Sequence, residues 1–151
     1  MKIRVIHVGK ISPLLKEAIE LYEKRLSNYE TLETIEVRQV KKLPQDKTVK
    51  KEGANILAIL DDEETVVALT EEGRRFSSIG FAKWLADARI VGQQVSFVIG
   101  GAFGLSNDVK LRSDLALSIS SMTTQHDIAL LVLMEQLYRA STILRGEEYH
   151  K

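Results

Sequence analysis

The chain has 151 residues, 21 of them basic, 21 acidic and none cysteine. This length favours a single domain over residues 1–151, with room for a real hydrophobic core. The absence of cysteine excludes a disulfide framework and thiolate metal sites, and it fits a reducing cytoplasm. A net charge of zero argues against a bulk nucleic-acid binder but leaves room for a local basic patch.

The sequence contains no sign of a membrane or metal protein. No apolar run approaches the ~20 residues that a membrane helix needs, and Met1 leads directly into a strand-like run without a signal peptide. None of the three histidines lies at metal-ligand spacing from another. We therefore expect a cytoplasmic protein with no membrane partner and no metal.

Strand and helix patterns alternate through the first half of the chain. Alternating β-branched residues predict strands, and apolar residues at helical spacing predict helices. The predicted elements are a strand over Lys2 to Val8, a helix from Pro13 with Ser12 as its N-cap, a strand over Thr34 to Val40, and a helix that begins after Pro44 and carries Val49, Gly53, Ile56, Leu57 and Leu60 on one stripe.

The alternation continues through the second half. The predicted elements are a strand over Thr65 to Leu69, a loop over Glu71 to Phe76, a helix capped by Ser77 or Ser78 and ended by Gly92, a strand over Val95 to Ile99, a short helix after Ser106, a strand over Leu115 to Ile119, and a helix from near Thr124 to about Leu144. This order predicts an α/β fold, with a mainly parallel sheet covered by helices on both faces.

Glycines and hydroxyl side chains follow the last two predicted strands. Gly100, Gly101 and Gly104 follow one, and the run from Ser118 to Thr124 follows the other. Ligands of open α/β sheets bind at the carboxyl ends of strands, so both segments are candidates for one binding site. Two simpler readings stay open: a tight turn at the glycines, and helix capping by the hydroxyls, with Thr124 and Asp127 as a weak capping box.

The last predicted helix and the tail carry candidate catalytic groups. His126 lies in the first turn of the helix, where the helix dipole favours neutral imidazole, although it could simply cap or pack. Arg139 could pair with Glu135 at i, i+4 spacing or serve a substrate oxygen. Tyr149 and His150 could fray with the terminus or stack on a nucleic-acid base.

Five lysines cluster around the second strand-to-helix turn. They are Lys41, Lys42, Lys47, Lys50 and Lys51. Such a cluster is usually a solvated face, but it is also the best candidate for tracking phosphates in a neutral protein.

Taken together, several segments resemble one known family. FVIGGAFGLS, LALSISSMTTQH, EQLYRA and RGEEYHK closely resemble the small SPOUT-class methyltransferases of the RlmH family, and MKIRVIHVGK resembles their first strand. The resemblance spans essentially the whole chain. It implies a C-terminal trefoil knot, a homodimer, S-adenosylmethionine as cofactor, and methylation of N3 of a pseudouridine in 23S rRNA within the ribosome.

The resemblance also implies which residues act. It assigns cofactor binding to Leu69, Gly100, Ile119, Ser120, Ser121, Met122, Thr123 and Thr124, and substrate binding or catalysis to His126, Arg139, Tyr149 and His150. The proton acceptor would be His126 or His150, with Arg139 stabilising negative charge on the base.

The chain departs from the common pattern of the family at two places. Gln125 stands where many relatives have proline, and Ala102–Phe103 replaces a more polar or proline-containing pair. The residues also allow a different class of function, a non-catalytic nucleotide- or RNA-binding module. A flavodoxin-like phosphate binder fits less well, because that fold places its phosphate loop after the first strand.

Overall fold

The computed structural model describes residues 1–91 and 94–151, in which strands and helices alternate strictly. Their order is β1 Lys2–Val8, α1 Pro13–Leu26, β2 Thr31–Val37, α2 Gln45–Leu57, β3 Thr65–Arg74, α3 Ser78–Ile90, β4 Val95–Ile99, α4 Asn107–Arg112, β5 Leu115–Leu117 and α5 His126–Leu144. Gly92, which was predicted to end the third helix, lies outside the described residues. No helix within these ranges is long and apolar enough to cross a membrane.

The strands form one parallel sheet. Its order is β2-β1-β4-β3-β5, and all four pairings between neighbours are parallel. The central strand β4 is buried along its whole length, which fits a sequence that is apolar except at Ser96. The prediction of a mainly parallel sheet is therefore confirmed.

Helices cover both faces of the sheet, because the strands alternate their side chains between two cores. Ile3 and Val5 of β1 pack with α1, α3 and α5 in the larger core. Ile6 and Val8 of the same strand pack with residues of α2 and α4 on the other face. Both cores exclude water from apolar surface, which is the main source of stability in a domain of this size.

Serine hydroxyls cap three of the helices. Ser12, Ser77 and Ser106 each accept a backbone amide in the first turn of α1, α3 and α4. The predicted caps at Ser12 and Ser77 are confirmed, whereas the sequence analysis placed a helix after Ser106 without naming its cap. The predicted capping box of Thr124 and Asp127 is wrong, because α5 begins at His126 with Gln125 as a cap that makes no side-chain bond. Asp127 instead accepts the amide of Ser12 at 3.2 Å, which joins the starts of α1 and α5.

Three predicted strand limits are wrong, and each has a local cause. The second strand runs over Thr31–Val37 rather than Thr34 to Val40, because its register follows β1 from Lys2 onward. β3 continues past Leu69 to Arg74, since Arg74 pairs again with β5 after a break in register. β5 ends at Leu117, where Ser118 turns to donate its amide to the carbonyl of Arg74.

Buried polar contacts hold together the amino-terminal ends of the strands. Glu64, which is 5% exposed, accepts both Arg4 and the hydroxyl of Ser96. These bonds tie the starts of β1, β3 and β4 together. A buried charge that is paired and hydrogen-bonded in this way fixes position more than it adds stability. This network leaves the opposite side of the sheet, where the carboxyl ends of the strands lie, available for a binding site.

Candidate active site

A cavity of about 910 Å³ opens at the carboxyl edge of the sheet. Its walls come from the ends of β3, β4 and β5, the start of α5, and the chain after β2. Seven of the eight residues predicted to bind cofactor line it: Leu69, Gly100, Ile119, Ser120, Met122, Thr123 and Thr124. Ser121 is exposed and does not line the wall. The three predicted segments thus meet around one space.

The glycine turn after β4 is shaped by close contact of backbone with backbone. A Cβ at Gly100 would lie 2.5 Å from the carbonyl carbon of Gly104, and Gly104 itself has a φ of +78°. The turn is closed by a bond from the amide of Gly104 to the carbonyl of Gly101, at 3.1 Å. Only glycine fits such a position without strain. The turn forms one wall of the cavity, so chain reversal and ligand access coexist here.

Ser118 holds the hydroxyl-rich loop that follows β5. Its side chain is 3% exposed, and its hydroxyl lies 3.0 Å from the carbonyls of both Glu71 and Ser120. Ser120 in turn accepts the amide of Met122 at 3.1 Å. Because a hydroxyl donates one hydrogen, Ser118 can donate to only one of these two carbonyls at a time. The loop is therefore a defined structure rather than a helix cap.

Several cavity residues escaped sequence reasoning. Thr70 lines the wall, and its hydroxyl oxygen is buried without a hydrogen-bond partner among the described residues. Gln39 and Gln45 also line the cavity, and they stand on either side of the lysine-rich turn. Thr70 could have been found, since it directly follows Leu69, the predicted cofactor-binding residue at which the predicted strand ended. Nothing in the pattern around the two glutamines indicated a role.

His126 lies at the cavity wall and is oriented by two groups. Its Nε2 is 3.0 Å from the carbonyl of Lys10. A carbonyl can only accept, so this nitrogen carries the hydrogen and Nδ1 of the neutral ring is left as an acceptor. The ring stacks on His7, with centroids 6.5 Å apart and planes at 17°. The structure therefore places His126 at the cavity, and its role in binding or catalysis stays a prediction.

His7 is the buried member of that pair. It is 2% exposed, and its Nδ1 lies 2.9 Å from the carbonyl of Gly9. Burial lowers the pKa of His7, and the neighbouring His126 adds to the effect, because both oppose a second positive charge in the stack. The neutral ring of His7 therefore stacks against the ring of His126.

The remaining predicted catalytic residues form a second cluster at the far end of α5. Arg139 donates to Glu135 from Nε and Nη2, and its guanidinium lies 4.7 Å from the centroid of the Tyr149 ring. Its Nη1 is 3.4 Å from Nδ1 of His150. These hydrogen bonds, donated to the carboxylate of Glu135, raise the pKa of Arg139 and keep the guanidinium charged.

The tail is packed against the protein rather than frayed. The Tyr149 ring meets Tyr138 edge-on at 4.8 Å, and its hydroxyl contacts Tyr22 and Glu135. Burial and these hydrogen bonds raise the pKa of Tyr149. Glu147 accepts the hydroxyl of Tyr29 at 2.6 Å. The tail therefore holds Tyr149 and His150 beside Arg139 before any substrate arrives.

The two groups of candidate catalytic residues are well separated within one chain. Thirteen positions of a continuous helix separate His126 from Arg139, which corresponds to about 20 Å at the helical rise per residue. One chain therefore does not bring all four residues to one reacting atom.

The cavity suits an organic ligand with both flat apolar and polar parts. Leu69, Ile99, Leu117 and Ile119 give it apolar surface, while hydroxyls and loop amides supply polar contacts. Its volume lies in the usual range for small-molecule sites. Within the described part of the chain, no three histidine or acidic side chains are grouped to hold a metal ion.

Comparison with known proteins identifies the family. A family profile described as "Predicted SPOUT methyltransferase" matches residues 1–150. The chain is 45% identical over 153 residues to "Ribosomal RNA large subunit methyltransferase H" of Anaeromyxobacter sp. (strain K), and 43% identical over 159 residues to the protein of that name from Carboxydothermus hydrogenoformans. In both cases the match covers all of both chains. The chain belongs to this methyltransferase family. The resemblance seen in the sequence is confirmed, and so is the expectation of an enzyme.

Solved structures of other methyltransferases share the fold. A probable methylase family protein from Haemophilus influenzae Rd KW20 superposes with a TM-score of 0.54 at 15% identity, over 99% of this chain and 70% of that one. The SpoU methyltransferase AviRb from Streptomyces viridochromogenes, in complex with AdoMet, gives 0.50 at 17% identity, over 96% of this chain and 58% of that one. The SPOUT-type α/β fold of this methyltransferase is thereby supported independently of its sequence.

Proposed function

We propose that this protein transfers a methyl group from S-adenosylmethionine to N3 of a pseudouridine in 23S rRNA, on the assembled ribosome. The observation that carries the proposal is the convergence of Leu69, Gly100 and the 119–124 loop around one cavity, at the sheet edge where such folds bind ligands. Full-length identity of 45% to a ribosomal RNA large subunit methyltransferase supports the substrate class.

The residues of the cavity fit the cofactor. Leu69, Ile119 and Met122 offer apolar contact for the adenine ring, while Ser120, Thr123 and Thr124 offer hydroxyls to the ribose and amino-acid parts. The cofactor supplies an electrophilic methyl group on a sulfonium. The protein must supply orientation and a deprotonated nitrogen.

The proton of the imide N3–H goes to a histidine in this proposal. Nδ1 of His126 has a free lone pair, because Nε2 donates to the carbonyl of Lys10. His150 is the other acceptor, beside the charged Arg139. Arg139 then stabilises negative charge that develops on the oxygens of the base.

The protein acts as a homodimer that combines the two groups of residues. Leu14 on α1 is 90% exposed and Ile128 on α5 is 41% exposed, which leaves an apolar surface at the start of both helices. A two-fold contact is self-complementary. If α5 lies antiparallel to its own copy, the Arg139 end of one protomer reaches the His126 end of its partner. The site would then be completed by two chains.

The loops around the cofactor are threaded into the trefoil knot of the family. Leu117 pairs with Leu69 and again with Arg74, so the chain between these two residues leaves β5 and returns to it. A Cβ at Gly73 would lie 2.7 Å from the backbone of Ala116 and Leu117. Glycine therefore allows two backbone segments to cross closely, which supports threading at this point.

Methylation of ribosomes that lack the modification tests the function. With labelled cofactor, we expect transfer to 23S rRNA, followed by mapping of the label to N3 of a pseudouridine. Binding of S-adenosylmethionine is measured separately by calorimetry. RNA binding without cofactor binding would refute the enzyme assignment and favour a non-catalytic module. Efficient methylation of a short free hairpin would refute the requirement for the ribosome.

A further inference from the structure

The chain after β2 concentrates positive charge in an otherwise neutral protein. Residues 38–51 contain six cations and one carboxylate, whereas the whole chain has equal numbers of both. The cations are Arg38, Lys41, Lys42, Lys47, Lys50 and Lys51, and we call them the basic rim. All six are exposed.

The basic rim lies at the mouth of the cavity. Gln39 and Gln45 both line the cavity, so the five intervening positions with their two lysines pass along its edge. The first turn of α2 follows directly, and it places Lys47 next to this segment. The charge is therefore presented beside the proposed reaction site rather than elsewhere on the surface.

The rim is held in one conformation by buried polar contacts. Glu52, which is 3% exposed, accepts the amide of Val40 at 2.9 Å. The hydroxyl of Thr48 donates to the carbonyl of Leu43 at 3.2 Å. Lys42 has a φ of +64°, a conformation that non-glycine residues seldom adopt without support. A lysine-rich loop that is fixed in this way is preorganised for binding.

The cations of the rim are not neutralised by the protein itself. Among the residues that the structure describes, none of the six forms a salt bridge, whereas Lys2, Lys16 and Lys110 each pair with a glutamate. The acidic run Asp61 to Glu64 lies before β3, at the other edge of the sheet. The positive charge of the rim thus makes the cavity edge attractive to an anionic surface.

We infer that the basic rim binds the phosphate backbone of the rRNA that flanks the target nucleotide. This inference rests on the proposed function and names the surface by which the substrate is held. Unpaired exposed lysines suit phosphate contacts, which position nucleic acid without reading its sequence. The rim therefore contributes to substrate affinity and not to the methyl-transfer step.

The test removes four of these charges, with Lys41→Gln, Lys42→Asn, Lys47→Gln and Lys50→Gln combined in one variant. Asparagine is used at position 42 because it tolerates positive φ. With ribosomes that lack the modification, we expect KM to rise at least about tenfold. The slope of log KM against the logarithm of the salt concentration should decrease by about two to four. The kcat at saturating ribosomes should stay within about twofold, since phosphate contacts position the substrate only.

A control variant removes the same charge elsewhere, through Lys2, Lys16, Lys24 and Lys83, each replaced by glutamine; all four are exposed. We expect its KM and salt slope to match the wild type. Equal losses in both variants would show a bulk charge effect and overturn the inference, as would an unchanged KM in the rim variant. Loss of S-adenosylmethionine binding in the rim variant would also overturn it. A wild-type protein that methylates no ribosome would instead refute the proposed function.

Discussion

The environment of Thr70 gives the clearest indication that the cavity binds a ligand. Buried hydroxyls nearly always have a partner, yet the oxygen of Thr70 has none within the described residues, although the residue lines the cavity. Rotation about the Cα–Cβ bond exchanges its hydroxyl and methyl groups between staggered positions. A bound ligand could therefore satisfy a group that the free protein leaves unpaired.

We expect Thr70→Val to change stability and cofactor affinity in opposite directions. The free protein should gain about 1 kcal/mol in its free energy of unfolding, because an unsatisfied buried hydroxyl is removed from a strand that tolerates valine. Affinity for S-adenosylmethionine should fall by about two- to tenfold. Denaturant unfolding without ligand and calorimetry with it measure the two effects.

Thr142 provides the matched control for that substitution. It is fully buried, and its hydroxyl donates to the carbonyl of Arg139 at 2.7 Å. Thr142→Val should therefore lose about 0.5–1.5 kcal/mol of stability and leave cofactor affinity unchanged. If Thr70→Val destabilises the free protein as well, its hydroxyl is already satisfied and the argument fails.

The buried His7 makes stability depend on pH. Its folded pKa lies below the ordinary value of 6.5 because burial disfavours the charged ring. The unfolded chain therefore binds a proton first as pH falls, and stability is present above about pH 6.5 and lost below it. We expect the free energy of unfolding to decrease between pH 7.5 and 5.5, by at most about 1.4 kcal/mol per pH unit from this group.

The variant His7→Asn isolates that contribution. Asparagine can still donate to the carbonyl of Gly9, which His7 contacts at 2.9 Å, but it does not titrate. Its unfolding free energy should vary less than that of the wild type over the same pH window. His150→Asn, at an exposed position, should keep the wild-type dependence. Parallel curves for wild type and His7→Asn would contradict the assignment.

At the scale of elements, the start of α5 accommodates Gln125 in place of the proline that many relatives have at this position. Gln125 has φ −63° and ψ 148°, and −63° is the φ that the proline ring imposes. The amide of Gln125 donates no backbone hydrogen bond to any described residue. The path of the chain into His126 is therefore the one that proline would give.

We expect Gln125→Pro to stabilise the protein by about 0.4–1 kcal/mol, because proline restricts the unfolded chain at a position it fits. Thermal unfolding measures the gain, with Gln136→Pro in the middle of α5 as the control. Gln136 is an interior helical position, where proline costs about 3 kcal/mol or more. Destabilisation by Gln125→Pro would mean that the cap has a different backbone geometry in solution.

Most elements were predictable because local patterns decide them, and the failures occurred where distant contacts do. Ser12, Ser77 and Ser106 cap helices through bonds within a single turn. By contrast, β3 extends to Arg74 only because that residue meets Leu117, which is distant in sequence. Residues 71–75 are four charged residues and a glycine, which carry no strand pattern of their own, so no local rule could have extended β3.

The site was predictable to a similar degree. Gly100 and the 119–124 loop stand at strand ends, so general rules for α/β sheets brought them together in advance. The packing of Tyr149 against Tyr138 and the bond of Asp127 to Ser12 depend on how α1 and α5 lie beside each other. Such contacts follow from the assembled fold and have no signature in the sequence alone.

At the scale of the whole molecule, α5 separates the two groups of predicted catalytic residues. Its first residue, His126, lines the cavity, while Arg139 holds the tail near its other end. A rigid helix cannot bend to close about 20 Å. The tail is also fastened by Tyr22 and Glu135. The proposed dimer would bring these groups together without unfolding either element.

Mixing two inactive variants tests this arrangement. His126→Ala and Arg139→Ala should each lose most activity as homodimers, since each variant damages both composite sites. In a heterodimer of the two, one site receives both substituted residues, and the other pairs an intact His126 of one protomer with the intact Arg139 of its partner. With random exchange, half of the dimers are mixed and half of their sites are intact, so about a quarter of wild-type activity should return.

Co-expression with two different affinity tags, followed by sequential purification, isolates the mixed dimer, which should show about half of wild-type activity per dimer. The double variant His126→Ala/Arg139→Ala, mixed with wild type, is the control. Its heterodimers should have no intact site, because each site of the mixed dimer then contains one substituted residue. If each chain instead holds a complete site, the outcome reverses: the mixed single variants stay inactive, and the control keeps the activity of its wild-type protomer.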